Sequence, residues 1–355
     1  MYTIIALYIL ICSILLFAWL QVKEDINNLS DFVFYGSILL FLILFATFRN
    51  GDVLPDYSGY VRYFNSTVEK RVVEKSFYII RYISNLIYEN QVYILFFIYA
   101  LIGVSLKFIA IKRYSPYVLY SIAVWISSFY ILQDLIQIRA SIAGGLLLLI
   151  IPVLQSKNYL CAALLTLIAT TFHNSAIIFL LLFPLNKDSI NWKIWTIFYM
   201  IAIIINISGL NFTSILNSLI KVLPHDLFNQ RIGSYFTKDY ELSNLRANMF
   251  SPYIMLQTLI CFGSLYWYEN IKKISHVALL SIKCCFISIF IYSLSIPGIS
   301  MRLAELLSTP LIFLIPLIID WLPSKYRVFN KTIVTIICFL LMSNFIFIKK
   351  FIIWK

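Results

Sequence analysis

The stretch QVYILFFIYALIGVSLKFIAI, residues 91–111, decides the fold class. As a helix it rises about 31 Å, at about 1.5 Å per residue, which matches a hydrocarbon core of about 30 Å. Similar runs at 2–21, 31–48, 116–133, 139–155, 192–209, 252–268, 276–296, 303–321 and 331–348 bring the expected transmembrane helices to ten. These runs are unbroken. Barrel strands would be about ten residues long with alternating polarity, so a β-barrel is excluded.

The whole chain agrees. Of its 355 residues, 61% are hydrophobic and 12% charged, against about 45–50% and 25% in soluble domains. Mean hydropathy is +0.88. A soluble globule of this size could not cover so much apolar surface, and the same numbers exclude disorder and coiled coil. The expectation is an all-α polytopic membrane protein forming one integral membrane domain over 1–355. Two long exterior loops, about 49–90 and 210–251, are too short to be domains. The first run has neither a basic n-region nor a small-residue cleavage site, so it reads as a span and not as a secretory signal.

Net charge is +12. Lys and Arg lie between the apolar runs and not in blocks, and no zinc-finger or RRM signature occurs, so nucleic acid is not an expected partner. The charge instead fits topogenic signals, contact with anionic membrane lipid, or a phosphate-bearing ligand. The six cysteines all fall in apolar runs without metal spacing and read as small core hydrophobes.

Residues 158–185 are unusual. A straight helix of that length would measure about 40 Å, too long for one crossing. Its middle holds Thr170-Thr171-Phe172-His173-Asn174-Ser175. Irregular backbone at depth is tolerated where it is buried in protein or lines a cavity. The expectation is a re-entrant pair of half-helices. With that pair returning to its own side, Lys112-Arg113, Lys157, Lys187/Lys193, Lys272-Lys273 and Lys325/Arg327/Lys331 all share one face. The positive-inside rule makes that face cytoplasmic, with both termini outside. Eight of the ten arginines then fall on the exterior side: Arg49, Arg62, Arg71, Arg81, Arg139, Arg231, Arg246 and Arg302. Lysine suffices for topology. Arginine offers a planar fork of donors suited to phosphate or carboxylate oxygens.

Several residues stand out individually. Arg49 ends the second span, either snorkelling or functional. Asp56 follows Pro55 and precedes Tyr57 and Tyr60. It reads as a solvated loop carboxylate, or as a general base or sugar-hydroxyl acceptor flanked by aromatics. Ser76 to Tyr88 has apolar residues at helical spacing and suggests an amphipathic helix lying flat on the outer surface, with Arg81 on it. Arg139 borders the membrane interior, a default functional position, unless it pairs locally with Asp134 or Gln137. Gly144-Gly145 beyond it permit close helix approach. His173, at the centre of the re-entrant segment, is either a core histidine or a donor and proton shuttle. Arg302 and Glu305, at i and i+3, share one helix face, as an ion pair or as a phosphate ligand with its orienting carboxylate. There is no P-loop, GxSxG elbow, HExxH or Cys/His cluster, so neither a metal nor a cofactor is expected.

In their order these motifs resemble the EpsG family of membrane polysaccharide polymerases, which are Wzy-like O-antigen or exopolysaccharide polymerases. The resemblance runs through Phe48-Arg49, Asp56-Tyr57 and Tyr60, then Ile138-Arg139-Ala140-Ser141-Ile142-Ala143 and Thr171-Phe172-His173-Asn174-Ser175-Ala176, and ends at Met301-Arg302-Leu303. Where that family often carries Gly-Thr-Asp, this chain has Leu54-Pro55-Asp56.

The resemblance implies a polymerase in the bacterial cytoplasmic (inner) membrane, with its active site at the outer face. Its substrates would be oligosaccharide repeat units on undecaprenyl pyrophosphate, and a Wzz-type chain-length regulator is an implied partner. A hydroxyl of one unit would displace lipid pyrophosphate from another, with inversion and without a metal. On that reading Arg139 and Arg302, assisted by Arg49, bind pyrophosphate. Asp56, His173 or Glu305 serves as base. Tyr57, Tyr60, Arg81, Arg231 and Arg246 contact glycan. The rival readings are a flippase for lipid-linked oligosaccharide and an O-antigen ligase-type transferase.

Overall fold

A computed structural model describes residues 2–20, 29–49, 51, 54–66, 74–208, 247–296 and 299–344. All regular structure among the described residues is helical. The chain runs through α1 (Tyr2–Leu20), α2 (Leu29–Thr47), α3 (Tyr57–Asn65), α4 (Lys75–Ile87) and α5 (Val92–Tyr114). Helix α6 (Val118–Val124) continues directly into a π-helical segment, Trp125–Ile136. Then come α7 (Ile138–Gln155), α8 (Tyr159–Phe172), a 3₁₀ segment (Asn174–Leu182) and α9 (Trp192–Ser208). The last part holds α10 (Pro252–Tyr266), α11 (Tyr268–Ile271), α12 (Ala278–Ser293), α13 (Ile299–Leu307), α14 (Leu311–Leu314), 3₁₀ segments Pro316–Asp320 and Ser324–Tyr326, and α15 (Arg327–Ser343).

Five stretches among the described residues are long and apolar enough to cross a membrane: Val92–Tyr114, Val118–Ile136, Ile138–Gln155, Ile299–Asp320 and Ser324–Ser343. Shorter apolar helices accompany them. The protein is a helical, multi-pass membrane protein. Its outer surface is apolar, with Leu16, Leu40, Leu160 and Ile207 all exposed.

The stretch Val118–Ile136 is buried throughout and forms the centre of the bundle. A helix that is apolar all round belongs inside. It packs against α1, α5, α7 and α15. At its end the Gln137 N–H donates to the Leu132 carbonyl at 3.0 Å, the five-residue spacing of a π-turn. The expected span 303–321 is broken into pieces at Pro310 and Pro316, neither of which has an N–H for the carbonyl four residues earlier.

Helices α5 and α7 pack closely through small residues. A Cβ on Gly103 would lie 2.0 Å from Ser141 Oγ, and one on Gly145 would lie 2.8 Å from Leu106 Cβ. Gly144 instead makes room for Gln133, whose Oε1 would be 2.5 Å from an added Cβ. Gly103→Val is therefore expected to cost about 1–3 kcal/mol by overpacking. A thermal midpoint in detergent equal to that of the wild type would refute this.

Two ends of the bundle differ in chemistry. At one, Lys157 pairs with Asp188 at 3.2 Å, and the Tyr114 and His276 rings meet at 5.8 Å. Asn270 Nδ2 donates to the Trp321 carbonyl at 3.1 Å there, and the Tyr117 hydroxyl donates to Asp320 at 2.7 Å. These contacts gather the lysine-rich connections into one basic end. Helix α7 carries the chain to this end from Arg139 at the opposite one.

Residues 158–185 fold back at His173, whose backbone is extended (φ −148°, ψ 107°). Tyr159, at the start of α8, meets Phe183, just past the 3₁₀ segment, with ring centroids 6.4 Å apart. The two arms match in height because their rises differ. Fourteen α-helical residues climb about 21 Å, and nine 3₁₀ residues return about 18 Å.

The region 49–90 contains α3 as well as the helix expected over Ser76 to Tyr88, which is present as α4. Helix α4 packs on α5 and α8. Phe77 and Ser84 of α4 are buried against the bundle, while Ile79, Tyr82, Leu86 and Ile87 face outward. Most of the second loop, 209–246, lies outside the described residues. Of the cysteines, Cys261, Cys284, Cys285 and Cys338 are buried, whereas Cys12 is exposed and Cys161 partly so. Those two therefore depart from the expected core placement. An apolar lipid-facing wall tolerates a small thiol as readily as a core does.

Candidate active site

The site is assembled around Glu74, the residue before α4. One carboxylate oxygen, Oε2, is ion-paired with Arg139 Nη1 from the first turn of α7. The other, Oε1, accepts the Asn174 N–H at 3.3 Å and lies 3.9 Å from His173 Nδ1. Two residues on, Ser76 Oγ donates to the Thr171 carbonyl at 2.5 Å. The start of α4 thus grips the tip of the folded-back hairpin, and one buried carboxylate joins three segments distant in sequence.

Arg139 lies over the Tyr60 ring at 5.9 Å, with the Tyr60 hydroxyl in hydrogen-bonding contact. Its side chain keeps 21% of its surface accessible. Its Nε and the His173 Nδ1 are buried without a hydrogen-bond partner. Buried polar atoms seldom stay unsatisfied in a finished structure.

Asp56 stands at the N-cap position of α3 but makes no capping bond. Its surface is accessible even though protein surrounds it, as expected of the wall of a concavity. Desolvation there pushes its carboxyl above the usual carboxylate range, opposed by the Arg302 and Arg139 guanidiniums. Arg302, exposed in the first turn of α13, is near enough to act electrostatically on both Asp56 and His173. One turn later Glu305 accepts from Gln137 Nε2 at 3.5 Å, on the flank of the cluster.

Asp56, Tyr60, Arg139, His173 and Arg302 therefore come together, with Glu74 as their link. Other expected site residues also make structural contacts. Arg49 is buried at 6% exposure, with Nη1 donating to the Leu135 carbonyl at 2.7 Å and Nε to the Ala46 carbonyl at 2.6 Å. Its guanidinium also lies 4.4 Å from the Phe96 ring centroid. It fastens the ends of α2 and the π-helical segment beneath the cluster, satisfying carbonyls that helix ends leave open. Arg81 caps α3 through the Ser66 carbonyl at 2.6 Å. Tyr57 is half-buried and packs on Phe96 at 5.2 Å, and Tyr60 is buried. Arg231 and Arg246 lie outside the described residues.

Arg139 does not pair with Asp134 or bond to Gln137 as the local reading allowed. Asp134 is taken by Lys107 at 2.9 Å, by Trp125 Nε1 at 3.0 Å and by the Ser141 hydroxyl. Lys107 and Asp134 are fully buried. This network fixes the turn of chain between the π-helical segment and α7, immediately below Arg139.

The sequence pattern of the EpsG family matches residues 32–353. The chain belongs to the EpsG family. The amylovoran biosynthesis protein AmsC of Erwinia amylovora is 26% identical over 155 residues, 40% of this chain. That match covers 41% of the relative, so the chain spans about two fifths of its length. No solved structure matches. The EpsG match takes in every residue of the cluster, Glu74 included.

Glu74 is the functional candidate that sequence reasoning missed. It lies in a region that reads as a loop, where a carboxylate passes for a solvated one. Its partners, Arg139 and Asn174, are 65 and 100 residues away. Lys107 and Asp134 did carry a signal, since an ionisable residue inside an apolar run calls for a partner.

Proposed function

We propose that this EpsG-family chain is a membrane glycosyltransferase that joins oligosaccharide repeat units carried on undecaprenyl pyrophosphate. The observation that supports it is the proximity of Arg139 and Arg302 to Asp56 and His173, at the end of the bundle opposite the lysines. The biosynthetic role in the name of AmsC points to the same class of chemistry.

In the reaction a hydroxyl oxygen of the acceptor unit bonds to the anomeric carbon of the donor chain. The bond from that carbon to the pyrophosphate oxygen breaks, and its electron pair leaves with the lipid pyrophosphate. Arg139 and Arg302 stabilise the charge that develops there. Asp56 takes the hydroxyl proton. Of the three candidate bases it is the accessible one, and its raised pKa makes it a better acceptor than an ordinary carboxylate. Attack opposite the leaving group inverts the anomeric centre.

Ten crossings are supplied by α1, α2, α5, α6 with its π-helical extension, α7, α9, α10, α12, the Ile299–Asp320 stretch and α15. The α8 hairpin enters from the basic end as a re-entrant pair, and its tip reaches the site. With the basic end in the cytoplasm, the recess opens toward the exterior.

The test uses a strain lacking the protein, complemented by wild type or by Arg302→Lys, with surface polysaccharide resolved on a gel. The expected result is a ladder with wild type and single-repeat product with Arg302→Lys. Loss of all surface repeat units in the deletion strain would favour a flippase or ligase, and a normal ladder from Arg302→Lys would remove Arg302 from pyrophosphate binding.

A further inference from the structure

The basic end of the bundle contains a cavity of about 220 Å³. It lies between the end of the α8 hairpin, α11 and the start of α12. Its wall includes Lys187, Lys272, Lys283, Gln155, Ser275 and Tyr268. Drug-sized sites run to about 300–1,000 Å³, so this one suits a smaller, headgroup-sized molecule.

Its chemistry is specific. Lys283 is buried at 3% exposure. Its ammonium donates to the Leu185 carbonyl at 2.9 Å and the Lys187 carbonyl at 2.6 Å. An ammonium has three N–H donors, so one is left over. Asp188, itself in the cavity wall, pairs with Lys157, and neighbouring Glu269 pairs with Lys272 at 2.5 Å. The lysines therefore outnumber the acids, and the excess calls for an anion. Ser275 Oγ and Gln155 Oε1 are buried polar atoms without a hydrogen-bond partner. The Gln155 oxygen can only accept, so a ligand that satisfies it carries a donor. Buried polar atoms left unsatisfied in this way need an explanation.

We propose that this cavity binds a glycerophosphate group, with its phosphate on Lys283 and Lys187 and a glycerol hydroxyl on Gln155 and Ser275. The group could reach the cavity as the headgroup of phosphatidylglycerol or as a soluble glycerol phosphate. The site is separate from the arginine recess and does not depend on the reaction assigned to it.

The test is native mass spectrometry of the full-length protein in detergent, loaded with phosphatidylglycerol or phosphatidylcholine of identical acyl chains. The expected result is about tenfold preferential retention of phosphatidylglycerol, equivalent to about 1.4 kcal/mol. Lys187→Gln/Ser275→Ala should abolish that preference. Lys325→Gln/Arg327→Gln, at the same end but outside the cavity wall, should keep it. Displacement by millimolar glycerol 3-phosphate would assign the site to a soluble ligand, and resistance to it would assign the lipid headgroup. Equal retention of both lipids without glycerol 3-phosphate binding would overturn the proposal. Equal loss in both double variants would overturn it too, because general surface charge would then explain the preference.

Discussion

Arg139→Lys is expected to lower polymerisation about 100- to 1,000-fold while the protein inserts in normal amount. The magnitude is that of removing one preorganised donor from developing negative charge. Lysine keeps the charge, and so keeps much of the attraction to Glu74. It loses the planar fork, and with it the ability to hold Glu74 with one nitrogen while offering another to a phosphate. The orphaned Arg139 Nε is the donor that would go missing. The exchange Arg139→Glu/Glu74→Arg separates the two roles. It should rebuild the ion pair and a folded protein, yet yield only single-repeat product. A full ladder from either variant would show that Arg139 has only a structural part.

Asp134→Ala is expected to destabilise the fold by about 3–5 kcal/mol, because it strands Lys107 in the centre of the bundle. Set against a total stability of about 5–15 kcal/mol, that loss should be visible as a collapse of the monodisperse fraction in detergent. Replacing both partners, as Lys107→Met/Asp134→Leu, should recover most of it. Buried ion pairs contribute little net stability over apolar residues of similar volume. The double variant should still lose activity, since the Ser141 and Trp125 anchors of the turn beside Arg139 also go. Wild-type behaviour of Asp134→Ala on size exclusion would contradict the argument.

The parts of this protein legible in its sequence are those set by local pattern. Apolar runs of about 20 residues announce helices, because the bilayer fixes their length. Arg139, His173 and Arg302 stand out because each sits where charge or irregular backbone is costly, and Asp56 because aromatics flank it. What the sequence concealed depends on long-range pairing. Arg49 and Arg81 resemble ligands in sequence, and the structure adds contacts that the sequence hides, since each donates to a carbonyl at a helix end. Glu74 looks like loop polarity until α4 brings it to Arg139 and the hairpin tip. The π-helical geometry of Trp125–Ile136 has no periodic signature, since that segment is buried all round and one face reads like another.

Helix α4 also sets the dimensionality of the search that precedes reaction. Its outward face is apolar, through Ile79, Tyr82, Leu86 and Ile87, while its first residues hold the arginine and the hairpin tip. Under the reaction proposed above, a substrate tethered by a polyprenyl tail would slide along this wall and arrive sideways. Its headgroup would reach the arginines without the tail leaving the bilayer, and encounter would then be governed by diffusion in a plane.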